Sequence, residues 1–196
     1  MSIVDLDKQF VFYASYHHDK INKLIHIVCV WPILWSAMVF CQYAPIVAPD
    51  SLNNLVSFAH PLNLAFIVAL FYATCYILME QKAGTFAAGL VFLSLLFSRS
   101  FFLTAEAKYG HPAWVIALVI HVGCWIAQFV GHGKFEGRAP ALLDNLVQAF
   151  LMAPLFVLLE VLFTFGYRQT FQKVIWKKVE QEIARVKAAS KSSKRK

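Results

Sequence analysis

Charge is scarce in this chain. Only 15% of its 196 residues are Asp, Glu, Lys or Arg, against about 25% in a soluble domain. A soluble globule must cover its core with polar surface, and this composition cannot supply it. A disordered chain is excluded by the same arithmetic, because the apolar content is too high. Cysteine is sparse too: Cys29, Cys41, Cys75 and Cys124 form no CxxC pair and lie in or beside apolar stretches. They read as small buried hydrophobes, which leaves no disulfide framework and no zinc ribbon. No P-loop, GxSxG, HExxH or Rossmann fingerprint is present, so the common nucleotide, hydrolase and zincin chemistries lack their motifs. Clustered HxxH boxes are also missing, which counts against a di-iron hydroxylase or desaturase. There are no internal repeats. Asp5, Asp7 and Lys8 interrupt the N-terminus early, so no cleaved signal peptide is expected.

What the chain has is apolar bulk: 59% hydrophobic residues, 15% aromatic residues and a mean hydropathy of +0.59. A membrane-crossing helix needs about 20 mostly apolar residues. Five stretches qualify in part: Leu24 to Pro49, Ser51 to Met79, Ala83 to Ser98, Tyr109 to Gly133 and Leu146 to Tyr167. The third is short, and the last holds Gln148, Glu160 and a proline, Pro154, that predicts a kink. Basic residues flank both ends of the chain, which favours both ends in the cytoplasm and an even number of crossings. The expected architecture is an all-α, polytopic membrane bundle. It has about four crossings, with Ala83 to Ser98 or Leu146 to Tyr167 as the candidate re-entrant segment. Leu6 to Tyr16 reads as a short amphipathic helix with Phe10, Tyr13 and His17 on one face. Asn22 is expected to cap the next helix. Arg168 to Ala189 reads as an interfacial helix striped by Phe171, Val174, Ile175, Val179, Ile183 and Val186. The organisation expected is a membrane domain over 1–167, that interfacial helix over 168–189 and a basic disordered tail over 190–196. The tail accompanies no recognition motif, so nucleic acid is not an expected partner.

Seven histidines stand out against this background: His17, His18, His26, His60, His111, His121 and His132. A histidine inside a span is costly unless paired, and imidazole is the commonest metal ligand. His17, His18 and His26 surround a helix break where the chain enters the membrane. A break lets side chains from two helices converge. Metal binding and simple snorkelling to the interface compete as readings of these three, with metal binding slightly ahead. His121 and His132 lie about 16 Å apart on a straight helix, so they cannot share one ion unless the helix breaks near Gly131. Otherwise there are two sites or one histidine is structural; His132 is the favoured ligand. His60 and His111 each precede a proline and read as interfacial.

The stretch from Gly131 to Pro140 is the most distinctive. His132 and Glu136 have i,i+4 spacing, which offers a ligand and an acid. Arg138 offers a bidentate contact to a carboxylate. Taken alone, the same stretch also reads as a charged loop between spans. Glu160, inside the last apolar run, reads better as a structurally paired residue than as a catalyst.

Two motifs then carry a family resemblance. One is Phe12-Tyr13-Ala14-Ser15-Tyr16-His17-His18 with Asn22 and Ile25-His26. The other runs from Trp125 to Gly133 and on through Phe135-Glu136, Pro140-Ala141-Leu142 and Asp144-Asn145-Leu146. Together they resemble the fungal endoplasmic-reticulum 2-hydroxy fatty acid dioxygenases, over roughly Phe10 to Phe163. The resemblance implies a multi-pass protein of the endoplasmic-reticulum membrane that uses Fe(II) and O2 in fatty acid α-oxidation. It would convert a 2-hydroxy long-chain fatty acid to the acid one carbon shorter plus CO2, serving phytosphingosine breakdown. It further implies iron ligands among His17, His18, His26, His121 and His132. Glu136 and Arg138 (or Lys134) are then candidate groups for acid chemistry and for steadying the carboxylate. The competing class is a non-enzymatic membrane lipid-binding or scaffold protein whose histidines are interfacial.

Overall fold

The computed structural model describes residues 5–46, 62–137 and 146–193, with side chains in the last helix described as far as Arg185. Among the described residues the protein is all-helical, with a single isolated bridge between Pro45 and Asn63 and no strand. In chain order the helices are α1 (Leu6–Ser15), α2 (Lys20–Gln42), α3 (Leu64–Met79), α4 (Gln81–Tyr109) and α5 (Ala113–Val130). The α5 helix runs on as π-helical turns over Gly131–Glu136. A second π-helical segment, Gln148–Met152, leads into α6 (Ala153–Thr164), and α7 (Gln169–Ser193) follows. The chain divides into two compact units, Met1–Ile27 with Phe129–Lys196, and Val28–Gln128.

Among the described residues, three helices are long and apolar enough to cross a membrane: Lys20–Gln42, Gln81–Tyr109 and Ala113–Glu136. A fourth is reached if Gln148–Thr164 and Gln169–Arg185, bent by 118°, count as one broken span. The exposed faces are apolar: Val119 is 70% exposed and Phe97 66%. Such faces need hydrocarbon rather than water around them. Ala83 to Ser98, short as an uncharged run, is the middle of the 29-residue α4. Arg99 ends the uncharged run but not the helix, because one charged residue costs a helix little backbone energy. In contrast, α3 spans only 16 residues, Leu64–Met79. Pro154 sits in the first turn of α6, directly after the π-helical segment, where its missing N–H costs little.

In the unit Val28–Gln128, α3 and α4 form a helical hairpin about the extended residue Glu80. Ala65, Ala69 and Ala73 on α3 and Ala83, Ala87 and Ala88 on α4 are all buried. Small residues at i, i+4 spacing let backbones approach where lipid offers no hydrophobic drive. Gly84 is the extreme case: a Cβ there would lie 1.9 Å from the Tyr76 carbonyl oxygen. Buried polar groups of this unit bond one another in a short chain. Asn63 Nδ2 donates to Gln42 Oε1 (2.7 Å), and Gln42 Nε2 donates to Ser98 Oγ (2.9 Å).

In the other unit, α1 packs on α6 and α7. Phe10 is fully buried, edge-on to Phe156 (5.4 Å between centroids), Phe163 (5.6 Å) and Trp176 (6.4 Å). Of the α7 stripe, Ile175 and Val179 are buried against protein, while Val174 stays exposed. Part of the apolar face of α7 is thus buried inside the fold. Its helix extends to Ser193, because no proline or glycine ends it before then.

Candidate metal centre

The turn between α1 and α2 builds the first half of the site. Tyr16 ends α1, and Asp19 opens α2: its Oδ1 accepts from the backbone N–H groups of Ile21 (2.8 Å) and Asn22 (3.0 Å). Asp19 is thus the cap expected of Asn22; a carboxylate just before the first turn satisfies the free N–H groups and meets the positive helix end. Asn22 is instead fully buried. Its Nδ2 donates to Glu136 Oε2 (3.0 Å) and to the Tyr16 carbonyl (3.4 Å).

Gly131–Glu136 supplies the second half. A Cβ at Gly131 would come 2.5 Å from Asn22 Oδ1 and 3.3 Å from Ile25 Cδ1. Only glycine lets this segment approach the start of α2 so closely. Changing from α to π geometry at this point re-aims the side chains that follow. It places His132 beside His17 and His26. The three rings lie 4.3, 4.8 and 4.9 Å apart between centroids. Each offers a nitrogen within 4.8 Å of the others. All three are buried, at 5% (His17), 4% (His26) and 3% (His132) relative exposure.

Tautomers follow from the bonds. His17 Nδ1 lies 2.7 Å from the Tyr13 carbonyl oxygen, and His26 Nδ1 lies 2.9 Å from the Asn22 carbonyl oxygen. A carbonyl only accepts, so both Nδ1 atoms carry the proton and both Nε2 atoms carry a lone pair. A carbonyl bonded to the far ring nitrogen orients ligating histidines in metal sites in the same way. Burial lowers the His17 pKa well below the ordinary histidine value. The neighbouring His26 and His132 rings and the Lys23 charge lower it further, against the Tyr13 carbonyl bond. Tyr13 stacks on His17 at 4.1 Å between ring centroids. Burial, and next the Glu160 charge, push its phenol pKa well up. Three converging imidazoles, two of them with Nδ1 tied to carbonyls, fit a divalent first-row metal, and three protein donors leave coordination positions for other ligands.

The family model for 2-hydroxy-palmitic acid dioxygenase Mpo1-like proteins matches residues 3–165. The chain belongs to the Mpo1-like family. It is 36% identical over 166 residues to the 2-hydroxy-palmitic acid dioxygenase MPO1 of Saccharomyces cerevisiae, covering 84% of each chain. No solved structure matches.

The other site candidates of this Mpo1-like chain fall elsewhere. His18 turns outward and pairs through Nδ1 with Glu136 Oε1. The Glu136 carboxylate also accepts from the backbone N–H groups of His18 (3.2 Å) and Asp19 (3.0 Å). Its side chain is 1% exposed. Its observed bonds tie the α1–α2 turn to the π-helical segment. His121 lies in the unit Val28–Gln128, with both ring nitrogens engaged. Trp125 Nε1 donates to its Nε2 (3.0 Å), so its Nδ1–H donates to Ser36 Oγ (2.9 Å), and that hydroxyl donates to the Pro32 carbonyl (2.8 Å). Lys134 is exposed and lies over the Phe135 ring. His111 is exposed. Arg138, His60, Asp144 and Asn145 lie outside the described residues. Glu160 is buried, and neither of its oxygens hydrogen-bonds another described residue. Asp19 as the cap and Lys23 near His26 leave little trace in the sequence beyond residue type and the i,i+3 spacing of Lys23 and His26.

Proposed function

We propose that this chain is an Fe(II)-dependent dioxygenase of the endoplasmic-reticulum membrane. It would convert 2-hydroxy long-chain fatty acids to the acid one carbon shorter and CO2, in fatty acid α-oxidation during phytosphingosine breakdown. The observation that carries this reading is the buried His17–His26–His132 cluster. Membership in the Mpo1-like family and the name of the yeast relative support the substrate class.

The stoichiometry is self-contained. A 2-hydroxy acid and O2 yield the shortened acid, CO2 and water, so the four electrons that O2 takes up come from the substrate. No external reductant enters the balance. Bound Fe(II) would supply O2 activation and positions for the hydroxyl and carboxylate of the substrate. The chain's own residues do the remaining work. The carbonyls of Tyr13 and Asn22 hold the His17 and His26 rings with Nε2 presented to the metal. Tyr13 covers one face of His17 and keeps bulk water from it. Glu136 fixes the turn that carries His17 and the segment that carries His132. Apolar helix faces offer the acyl chain a hydrocarbon setting. In this proposal His18 and His121 stand outside the ligand set.

The test is direct. The purified protein, loaded with Fe(II), is given 2-hydroxypalmitic acid labelled at C1, and O2. The expected products are labelled CO2 and the C15 acid in equal amounts. An iron-loaded protein that binds the acid and releases neither product would overturn the reading in favour of a lipid-binding role.

A further inference from the structure

Lys23 stands one helical turn before His26, on the same face of α2. Its ammonium lies 4.9 Å from the centroid of the Trp176 ring on α7, and its charge reaches both the His17 ring and the Glu160 carboxylate. Three other cations in this unit sit on carboxylates: Lys8 pairs with Asp5 and Lys178 with Asp7, each at 2.9 Å, and Arg185 pairs with Glu182 at 2.6 Å; Lys134 and Arg168 lie over the rings of Phe135 and Phe171, their neighbours on the same stretch of chain. Among the described residues, no carboxylate stands within ion-pair distance of the Lys23 ammonium. Glu160 is near enough to feel the charge and too far to bond it.

A partly buried lysine held on an aromatic face, one helical turn from His26, is arranged to receive an anion. Lysine meets a carboxylate as a point charge, and the Trp176 face limits the rotamers that the long side chain must give up. The position also suits an amphiphile. Lys23 lies in the first turn of the first long apolar helix, where a polar head would meet the protein while its tail stays in hydrocarbon.

We propose that the Lys23 ammonium, steadied by Trp176, receives the carboxylate of the acid substrate and makes the site selective for the free acid over its neutral derivatives. This rests on the function proposed above, but its test does not need turnover. Lys23 is a substrate-binding residue in this account. It sets which end of the acid meets the histidine cluster.

The experiment uses the full-length, metal-free protein in detergent. Affinities are measured for 2-hydroxypalmitic acid and for its primary amide. The wild type should favour the acid by about tenfold, the size of one charge-assisted contact. Lys23→Met should lose that preference by weakening acid binding alone, leaving the amide unchanged. Lys23→Arg should restore most of it. Lys23→Met retaining the preference would overturn the proposal, as would equal loss of both ligands. If the chain binds the acid with this preference and yet releases no shortened product with iron, the carboxylate site stands and the dioxygenase reading falls.

Discussion

Gly131→Ala is the sharpest perturbation of the site that removes no donor residue. The added Cβ would lie 2.5 Å from Asn22 Oδ1, about 0.9 Å inside ordinary contact. Asn22 cannot swing aside cheaply, because it is fully buried and its Nδ2 is bonded to Glu136 and to the Tyr16 carbonyl. The strain must therefore move the π-helical segment off α2, and His132 moves with it, away from His26. Overpacking of this kind costs about 1–3 kcal/mol. Displacing one ligand by nearly 1 Å should weaken metal binding by about 10- to 100-fold. The control is Gly133→Ala, two residues on, where a Cβ would meet nothing within 4 Å. Both variants are purified and compared by thermal unfolding and by anaerobic Fe(II) titration. Gly133→Ala should match the wild type in metal affinity, and Gly131→Ala should not. If the two titrate alike, the close approach of Gly131 to α2 does not shape the site.

Three further outcomes follow from the same geometry. Glu136→Gln puts an amide NH2 among donors, so unfolding should become easier by about 1.5–3 kcal/mol; iron binding should weaken while turnover per bound iron stays near normal. A loss of turnover at full iron occupancy would instead make Glu136 a direct participant. His121→Ala removes the acceptor of Trp125 Nε1–H and the donor to Ser36 Oγ, whose hydroxyl keeps its bond to the Pro32 carbonyl; this should cost about 1 kcal/mol in thermal unfolding and leave iron content unchanged. Gly84→Ala would drive a Cβ into the Tyr76 carbonyl, so little folded protein should accumulate on expression, whereas Gly89→Ala, open on all sides, should accumulate normally.

Much of the architecture is legible in the sequence because bilayer physics acts on local composition. Uncharged runs mark the long helices, and Phe10 and Tyr13 on one face mark α1, while His17 falls just past its end. The limits of that reading are equally local. Counting uncharged residues stopped at Arg99, whereas α4 continues to Tyr109. Asp19 and Asn22 are both good caps by type, and only the turn decides between them. Within the site, the break between α1 and α2 pointed to His17 and His26, and glycine at 131 pointed to a change of helix geometry before His132. The partnership of Glu136 with a turn 117 or 118 residues earlier in the chain has no sequence period to reveal it. The same holds for Lys23 on Trp176. These contacts exist because helices distant in sequence pack together, and periodicity reports only on neighbours along one helix.

The account rests most heavily on the three-histidine cluster. Iron bound per chain, measured on protein loaded anaerobically with Fe(II) and desalted, tests it most directly. Wild type, His18→Ala and His121→Ala should each retain about one iron per chain, the number one three-donor site holds. His17→Ala, His26→Ala and His132→Ala should each lose it while remaining folded. Full iron retention in His132→Ala, or iron loss in His121→Ala with the fold intact, would contradict the site described above.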